Sequence, residues 1–206
     1  MSTIFLDRDG VINYNRVDHV KSWAEFEFLP GSLQALASLR KANYRVFVVT
    51  NQAVINRGIV EQAVVEHIHR QMLEQISKAG GRVEAVLYCP HRPEENCLCR
   101  KPLPGLIKFA ANRFGVEPMS SWLIGDHLHD IAAGQAAGCR TILVQTGRGE
   151  ATYRELQSQP DYWRQLRPEL HLAANLGEAV KYILSQRIIT TGIELETVKK
   201  VSSSYS

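Results

Sequence analysis

The chain has 206 residues, 45% hydrophobic and 22% charged, which fits one packed domain and excludes a disordered or fibrous polypeptide. Its formal net charge of +3 is too small for this length to argue for a nucleic-acid or membrane partner, although it suits an anionic substrate. No apolar run approaches the ~20 residues of a membrane span and no signal-type segment opens the sequence, so a cytoplasmic protein is expected.

Strand-like and helical runs then alternate. Thr3-Ile4-Phe5-Leu6 is a short apolar run that reads as a buried strand. A polar stretch with aromatic residues follows and ends at Pro30-Gly31. Ser32 to Asn43 carries Leu33, Leu36, Ala37 and Leu39 at helical spacing. Val46 to Val49 reads as a fully buried strand, and Val60 to Ala79 as a long helix closed by Gly80-Gly81. Ala85 to Tyr88 is a third strand, Pro104 to Phe114 a helix with Gly115 after its end, and Trp122 to Ile124 a fourth strand. Ile131 to Ala137 reads as a helix and Thr141 to Val144 as a fifth strand. The order βαβαβαβαβ implies a doubly wound, mostly parallel sheet with helices on both faces. Beyond Gly149 the signal weakens to a helix and loop over Thr152 to Arg167, a helix from Leu176 to Leu184 and a brief β-like run at Ile188-Ile189. Residues 1–186 are expected to form one domain and 187–206 a C-terminal tail of unknown function.

In a parallel α/β sheet, ligands collect at the carboxyl ends of the strands. Here each of those ends carries polar chemistry. Asp7 and Asp9 follow the first strand, Thr50-Asn51-Gln52 the second, and Gly125-Asp126 the fourth, with Asp130 four residues on. Arg100-Lys101 lies between the third and fourth strands. Two aspartates two residues apart need a cation or a proton between them. The plain alternative is a strand-ending Asp7 and a solvated turn Asp9 before Gly10. Carboxylates that hold Mg²⁺, with a hydroxyl, an amide and cations around them, suit a phosphoryl group.

These motifs resemble the haloacid dehalogenase-like phosphatases over about residues 3 to 147. Phe-Leu-Asp7-Arg-Asp9-Gly matches the first motif of that family, Val-Val-Thr50-Asn51-Gln52 the second, Lys101 the third and Gly125-Asp126-x-x-x-Asp130 the fourth. The resemblance implies Asp7 as nucleophile and Asp9 as general acid and base. It implies Mg²⁺ on Asp7, the backbone carbonyl of Asp9 and Asp126, with Thr50 and Lys101 on the transferring phosphoryl oxygens and Asn51 orienting the substrate. Asp130 would hold Lys101 or a metal-bound water, or would simply be a helix-start carboxylate. FLDRDGVIN, TNQ with Arg57-Gly58, and CPH…CxCRKP resemble the heptose bisphosphate and histidinol-phosphate phosphatases within that family. Removal of the 7-phosphate of D-glycero-D-manno-heptose 1,7-bisphosphate is the implied reaction, and histidinol phosphate the rival substrate. A catalytically silent zinc-containing binding module and a polynucleotide-end phosphatase are further readings. The intact motifs oppose the first, and the lack of a basic patch with interleaved aromatics opposes the second.

Three of the four cysteines form a second constellation, Cys89-x-His91-x₅-Cys97-x-Cys99. Three thiols and an imidazole on one loop match a structural Zn²⁺ site, and the family has the same arrangement. A closed metal loop would fix the adjacent Arg100 and Lys101. Arg100 and Arg57 are candidates for a second, non-reacting anion on the substrate, with a surface turn arginine the plain alternative for Arg57. His127 stands where relatives often have Lys or Ser, His129 follows two residues later, and both read as polar groups near the rim. No long insertion interrupts the core, so no large cap domain is expected, and a monomer with no nucleic-acid partner is the expectation.

Overall fold

The computed structural model describes residues 2–158 and 170–186. In chain order these form β1 (Thr3–Leu6), α1 (Ser32–Lys41), β2 (Arg45–Asn51), α2 (Gln62–Lys78), β3 (Ala85–Cys89), α3 (Gly105–Phe114), β4 (Trp122–Gly125), α4 (Leu128–Ala137), β5 (Arg140–Val144), α5 (Gly149–Ser158), β6 (Leu170–Ala173) and α6 (176–186). The sheet order is β3-β2-β1-β4-β5-β6, with every pairing parallel. The chain therefore winds outward from β1 in both directions, as a doubly wound sheet does.

Side chains alternate across a strand, and that alternation divides the core. Ile4, Leu6, Val46, Val48 and Ile124 face a cluster with Leu36 and Leu39 of α1, Ile68 and Met72 of α2, and Val180 and Ile183 of α6. Phe5, Phe47, Val49 and Leu123 face the other way, onto Leu106, Ile107 and Ala110 of α3 and Ala133 of α4. Ile131, Leu143 and Leu156 extend that second face toward α5. No second globular unit interrupts the element order among the described residues, as expected of a chain without a large cap.

Two features differ from the sequence-based expectation. The sheet has a sixth strand, β6, paired in register with β5 from Thr141↔Leu170 to Val144↔Ala173. It is an edge strand and only half-buried along most of its length, so it lacks the apolar run that marks a central strand. Helix α4 starts at Leu128 rather than Ile131, because a polar cap sets its first turn: the His127 N–H donates to Asp130 Oδ2 at 3.1 Å and the His129 N–H to His127 Nδ1 at 3.2 Å. The β-like run at Ile188-Ile189 and the tail 187–206 lie outside the described residues.

Candidate active site

The carboxyl ends of β1, β2 and β4, with the loop after β5, converge on an open cleft of about 270 Å³. Asp7 stands one residue past β1, and its N–H is fixed by the Ile124 carbonyl of β4 at 3.0 Å. Lys101 reaches it from the zinc-type loop: its buried ammonium lies 2.8 Å from Asp7 Oδ1 and 2.5 Å from Asp130 Oδ1, and donates to the Val49 carbonyl at 2.7 Å. Asn51 grips the Lys101 backbone from both sides, accepting from its N–H at 3.1 Å and donating to its carbonyl at 3.0 Å. Asn51 thus lines the cleft with its amide engaged by Lys101. Thr50 is buried, and its hydroxyl accepts from Gln52 Nε2 at 3.0 Å.

Asp126 closes the site from β4. The Arg148 N–H donates to its Oδ2 at 2.8 Å, and the Thr152 hydroxyl donates to its backbone carbonyl at 3.1 Å. The carboxylate sits between two glycines. A Cβ on Gly10 (φ +86°) would lie 2.0 Å from Asp126 Oδ2, and one on Gly147 (φ +60°) 2.1 Å from the same atom. Both positions therefore need glycine for space as well as for backbone conformation.

Single carboxylate oxygens of Asp7, Asp126 and Asp130 lie within 4.8 Å of one another. Burial, followed by repulsion from Asp7 and Asp130, pushes Asp126 up to about 8. Burial pushes Asp7 up to about 6, partly offset by Lys101. Burial opposes the Lys101 ammonium, but Asp130 and Asp7 outweigh it and raise its pKa. Crowded oxygen donors of this kind fit a hard divalent cation such as Mg²⁺. Asp130 already has Lys101 on one oxygen and the His127 N–H on the other. It is both the helix-start carboxylate and the brace on Lys101 that the sequence left as alternatives.

Asp9 is organised differently. Arg8 Nη2 donates to both its oxygens at 3.0 and 2.9 Å, Asn13 Nδ2 to Oδ1 at 2.9 Å and Gln52 Nε2 to Oδ2 at 3.0 Å. Burial would raise its pKa, but the Arg8 charge and these hydrogen bonds outweigh burial and hold it below the usual carboxylate value. Both its oxygens are held by these donors, while the side chain keeps 24% of its surface open on the cleft that it lines.

In the loop after β3, Sγ of Cys89, Cys97 and Cys99 and Nδ1 of His91 lie within 4.8 Å of one another. Neighbouring pairs are 3.3–3.5 Å apart. A tetrahedral ion about 2.3 Å from each sulfur spans edges of roughly 3.8 Å, so the set fits Zn²⁺ after a small expansion. Arg100 Nη1 donates to the His91 carbonyl at 3.1 Å, which ties this loop to the cleft wall.

Arg57, Arg100, His127 and His129 all line the cleft. Sequence reasoning missed Asn15, Arg16 and His19, which reach the rim from the stretch after β1, and Arg148 from the loop after β5. Trp23, Phe26 and Phe28 pack that first stretch onto the core, with ring centroids of Trp23–Phe26 and Phe26–Phe28 5.0 Å apart. The aromatic content was visible in the sequence, but its partner surface was not.

A carboxylate pair, a buried lysine and a ring of arginines around one cleft define a class: enzymes that transfer the phosphoryl group of phosphate esters. A family model for HAD-hydrolase-like proteins matches residues 98–167. The D-glycero-beta-D-manno-heptose-1,7-bisphosphate 7-phosphatase of Bordetella bronchiseptica is 44% identical over 152 residues, 74% of this chain and 85% of the relative. Its namesake from Pseudomonas aeruginosa is 40% identical over 151 residues, 73% of this chain and 85% of the relative. A Mycobacterium tuberculosis relative named for the alpha form is 38% identical over 148 residues, 68% of this chain and 78% of its own. The crystal structure of D,D-heptose 1,7-bisphosphate phosphatase from B. bronchiseptica, complexed with magnesium and phosphate, superposes with a TM-score of 0.83 at 38% identity, covering 90% of this chain and 99% of that one. This chain belongs to the haloacid dehalogenase-like hydrolases, among their phosphatases.

Proposed function

We propose that the chain is a Mg²⁺-dependent phosphatase that removes the 7-phosphate of D-glycero-D-manno-heptose 1,7-bisphosphate through an aspartyl-phosphate. The observation that carries the substrate is the likeness to phosphatases of that name over most of their length. The site's geometry supports the chemistry. Residues 1–186 are the catalytic domain in this reading, acting as a cytoplasmic monomer, and free rather than disulfide-bonded cysteines suit that compartment.

Asp7 is the nucleophile. Its carboxylate oxygen forms a bond to phosphorus as the bond from phosphorus to the sugar oxygen breaks, and the Asp9 carboxyl gives its proton to that oxygen. In the second half Asp9, ionised again, takes a proton from water while the water oxygen bonds to phosphorus and the bond to Asp7 breaks. The hydrogen bonds that hold Asp9 ionised in the free enzyme suit this second role, and a phosphate dianion beside it raises its affinity for a proton in the first. Lys101 and Thr50 hold the transferring oxygens. Asp7, the Asp9 carbonyl and Asp126 would hold Mg²⁺, which supplies positive charge that offsets repulsion between nucleophile and phosphate. Cys89, His91, Cys97 and Cys99 would hold a structural Zn²⁺. Arg57 and Arg100 would receive the phosphate that does not react, with Asn51 holding Lys101 in register.

Histidinol phosphate fits less well. An ammonium calls for a carboxylate of its own, and the carboxylates lining the cleft among the described residues are Asp7, Asp9, Asp126 and Asp130. Lys101 engages Asp7 and Asp130, Arg8 engages Asp9, and Asp126 serves the metal in this reading, so none is left for an ammonium. Phosphate release from both heptose bisphosphate anomers, histidinol phosphate and a 3′-phosphorylated oligonucleotide tests the substrate, with a heptose bisphosphate expected to be the fastest. Asp7→Asn keeps the shape and loses the nucleophile, so turnover should fall by about a thousandfold or more. Near-normal turnover in the purified variant would remove Asp7 from this role.

A further inference from the structure

Arg8, which lies between the two site aspartates, is only 1% exposed. A buried guanidinium needs fixed partners on its donors. Nη2 grips both oxygens of Asp9, and Nη1 lies 3.0 Å from Nε2 of His69, while Nε has no partner. His69 comes from α2, sixty-one residues away in sequence, and is itself buried at 5% exposure. Arginine has no acceptor atom, so Nη1 donates and Nε2 accepts. His69 is therefore the neutral tautomer with its proton on Nδ1. Burial and then the Arg8 charge push the His69 pKa down to about 3, which keeps that acceptor unprotonated. The Tyr88 ring lies 5.5 Å from the imidazole, and its hydroxyl donates to Glu66 at 2.9 Å, which anchors the far side to the same helix.

We propose that His69 is a positioning residue for the acid–base carboxylate: it fixes the Arg8 guanidinium from α2, and Arg8 fixes the angle at which Asp9 faces the leaving oxygen. This inference rests on the assignment of Asp9 as general acid and base. Without an acceptor at residue 69, Nη1 turns to find another, and the two-pronged grip on Asp9 turns with it. Asn13 and Gln52 still hold one oxygen each, so Asp9 stays in the cleft but loses its aim. Such a residue affects most the step in which Asp9 must deliver a proton.

The leaving group separates this role from a merely structural one. A sugar alkoxide needs a proton as it departs, and a 4-nitrophenolate does not. The experiment measures kcat/KM, which reports events through the first phosphoryl transfer, for a heptose bisphosphate and for 4-nitrophenyl phosphate. The proteins are the wild type, Asp9→Asn, His69→Leu and His69→Gln, each checked by thermal melting. His69→Leu should lower the sugar-to-aryl ratio by about tenfold, part of the hundredfold or more that acid–base catalysis typically supplies. His69→Gln, whose amide oxygen can accept from Arg8, should return the ratio to within about threefold of wild type. If His69→Leu does not fold, His69→Asn, with a shorter acceptor, should give an intermediate ratio. A wild-type ratio in the folded non-Gln variant, alongside a ratio that collapses in Asp9→Asn, overturns the His69 role alone. An unchanged ratio in Asp9→Asn overturns the assignment of Asp9 itself.

Discussion

Lys101 joins two motifs at one atom: its ammonium touches Asp7, Asp130 and the Val49 carbonyl at once. A buried cation with three oxygen partners is held in one place, whereas its neighbour Arg100 is tied, among the described residues, to the His91 carbonyl and lines the open cleft. The difference predicts different substrate dependence. A group on the reacting phosphate matters for any ester, and a group on a distant phosphate matters only when that phosphate exists. Lys101→Ala should therefore depress hydrolysis of both a heptose bisphosphate and an aryl phosphate. Arg100→Ala should spare the aryl ester and lower kcat/KM on the bisphosphate by roughly thirty- to a hundredfold, the scale of a lost charged contact of about 2–3 kcal/mol. Equal damage to both esters from Arg100→Ala, with zinc content unchanged, would remove the distal anion from Arg100.

At the scale of the element, the loop after β3 is too short to make a core of its own. In the proposed reading a metal held by its three thiols and one imidazole would take the place of one, and Cys89 anchors the loop by ending a strand in the buried second face of the sheet. Purified without chelator, the protein should carry about one Zn²⁺ per chain by elemental analysis. Iodoacetamide should label the native, zinc-loaded protein slowly. After chelation, the half-buried Cys97 and Cys99 should label readily, while Cys89, buried at the end of β3, and Cys139, whose thiol burial pushes up to about 12, should label only on denaturation. Cys97→Ser should lower metal content and melting temperature more than Cys139→Ser, and equal losses would sink the structural-metal reading. This loop was legible in the sequence because its ligands are local, and so were Asp7, Thr50 and Asp126, because each follows an apolar run. The start of α4 was not, since a polar cap rather than an apolar stripe sets it. His69 was hidden for another reason. It falls on the buried stripe of α2 with Val65, Ile68 and Met72, where helical spacing marks it only as core. Its partner Arg8 is brought to it by tertiary packing alone.

Across the whole molecule, a net charge of only +3 conceals an uneven distribution. The topology gathers Arg16, Arg57, Arg100 and Arg148 around one cleft from four separate connections: after β1, after β2, after β3 and after β5. Sheet order puts β3, β2, β1 and β5 within five adjacent positions, so loops far apart in sequence share one rim. Lys101 is neutralised by Asp7 and Asp130 within the site and Arg16 is paired with Asp18 at 3.2 Å, so Arg57, Arg100 and Arg148 set most of the field that an arriving anion meets. Each phosphate carries up to about two negative charges at neutral pH, so a bisphosphate feels that field about twice as strongly as a monophosphate. Exposed charges are screened over about 8–10 Å at physiological salt. At fixed Mg²⁺, raising ionic strength should therefore lower kcat/KM more steeply for the heptose bisphosphate than for a sugar monophosphate. Replacing Arg57 and Arg148 together with alanine should flatten the bisphosphate slope toward the monophosphate one. Parallel slopes for the two substrates in the wild type would mean that the arginine rim does not read the second phosphate, and that the preference for a bisphosphate arises deeper in the cleft.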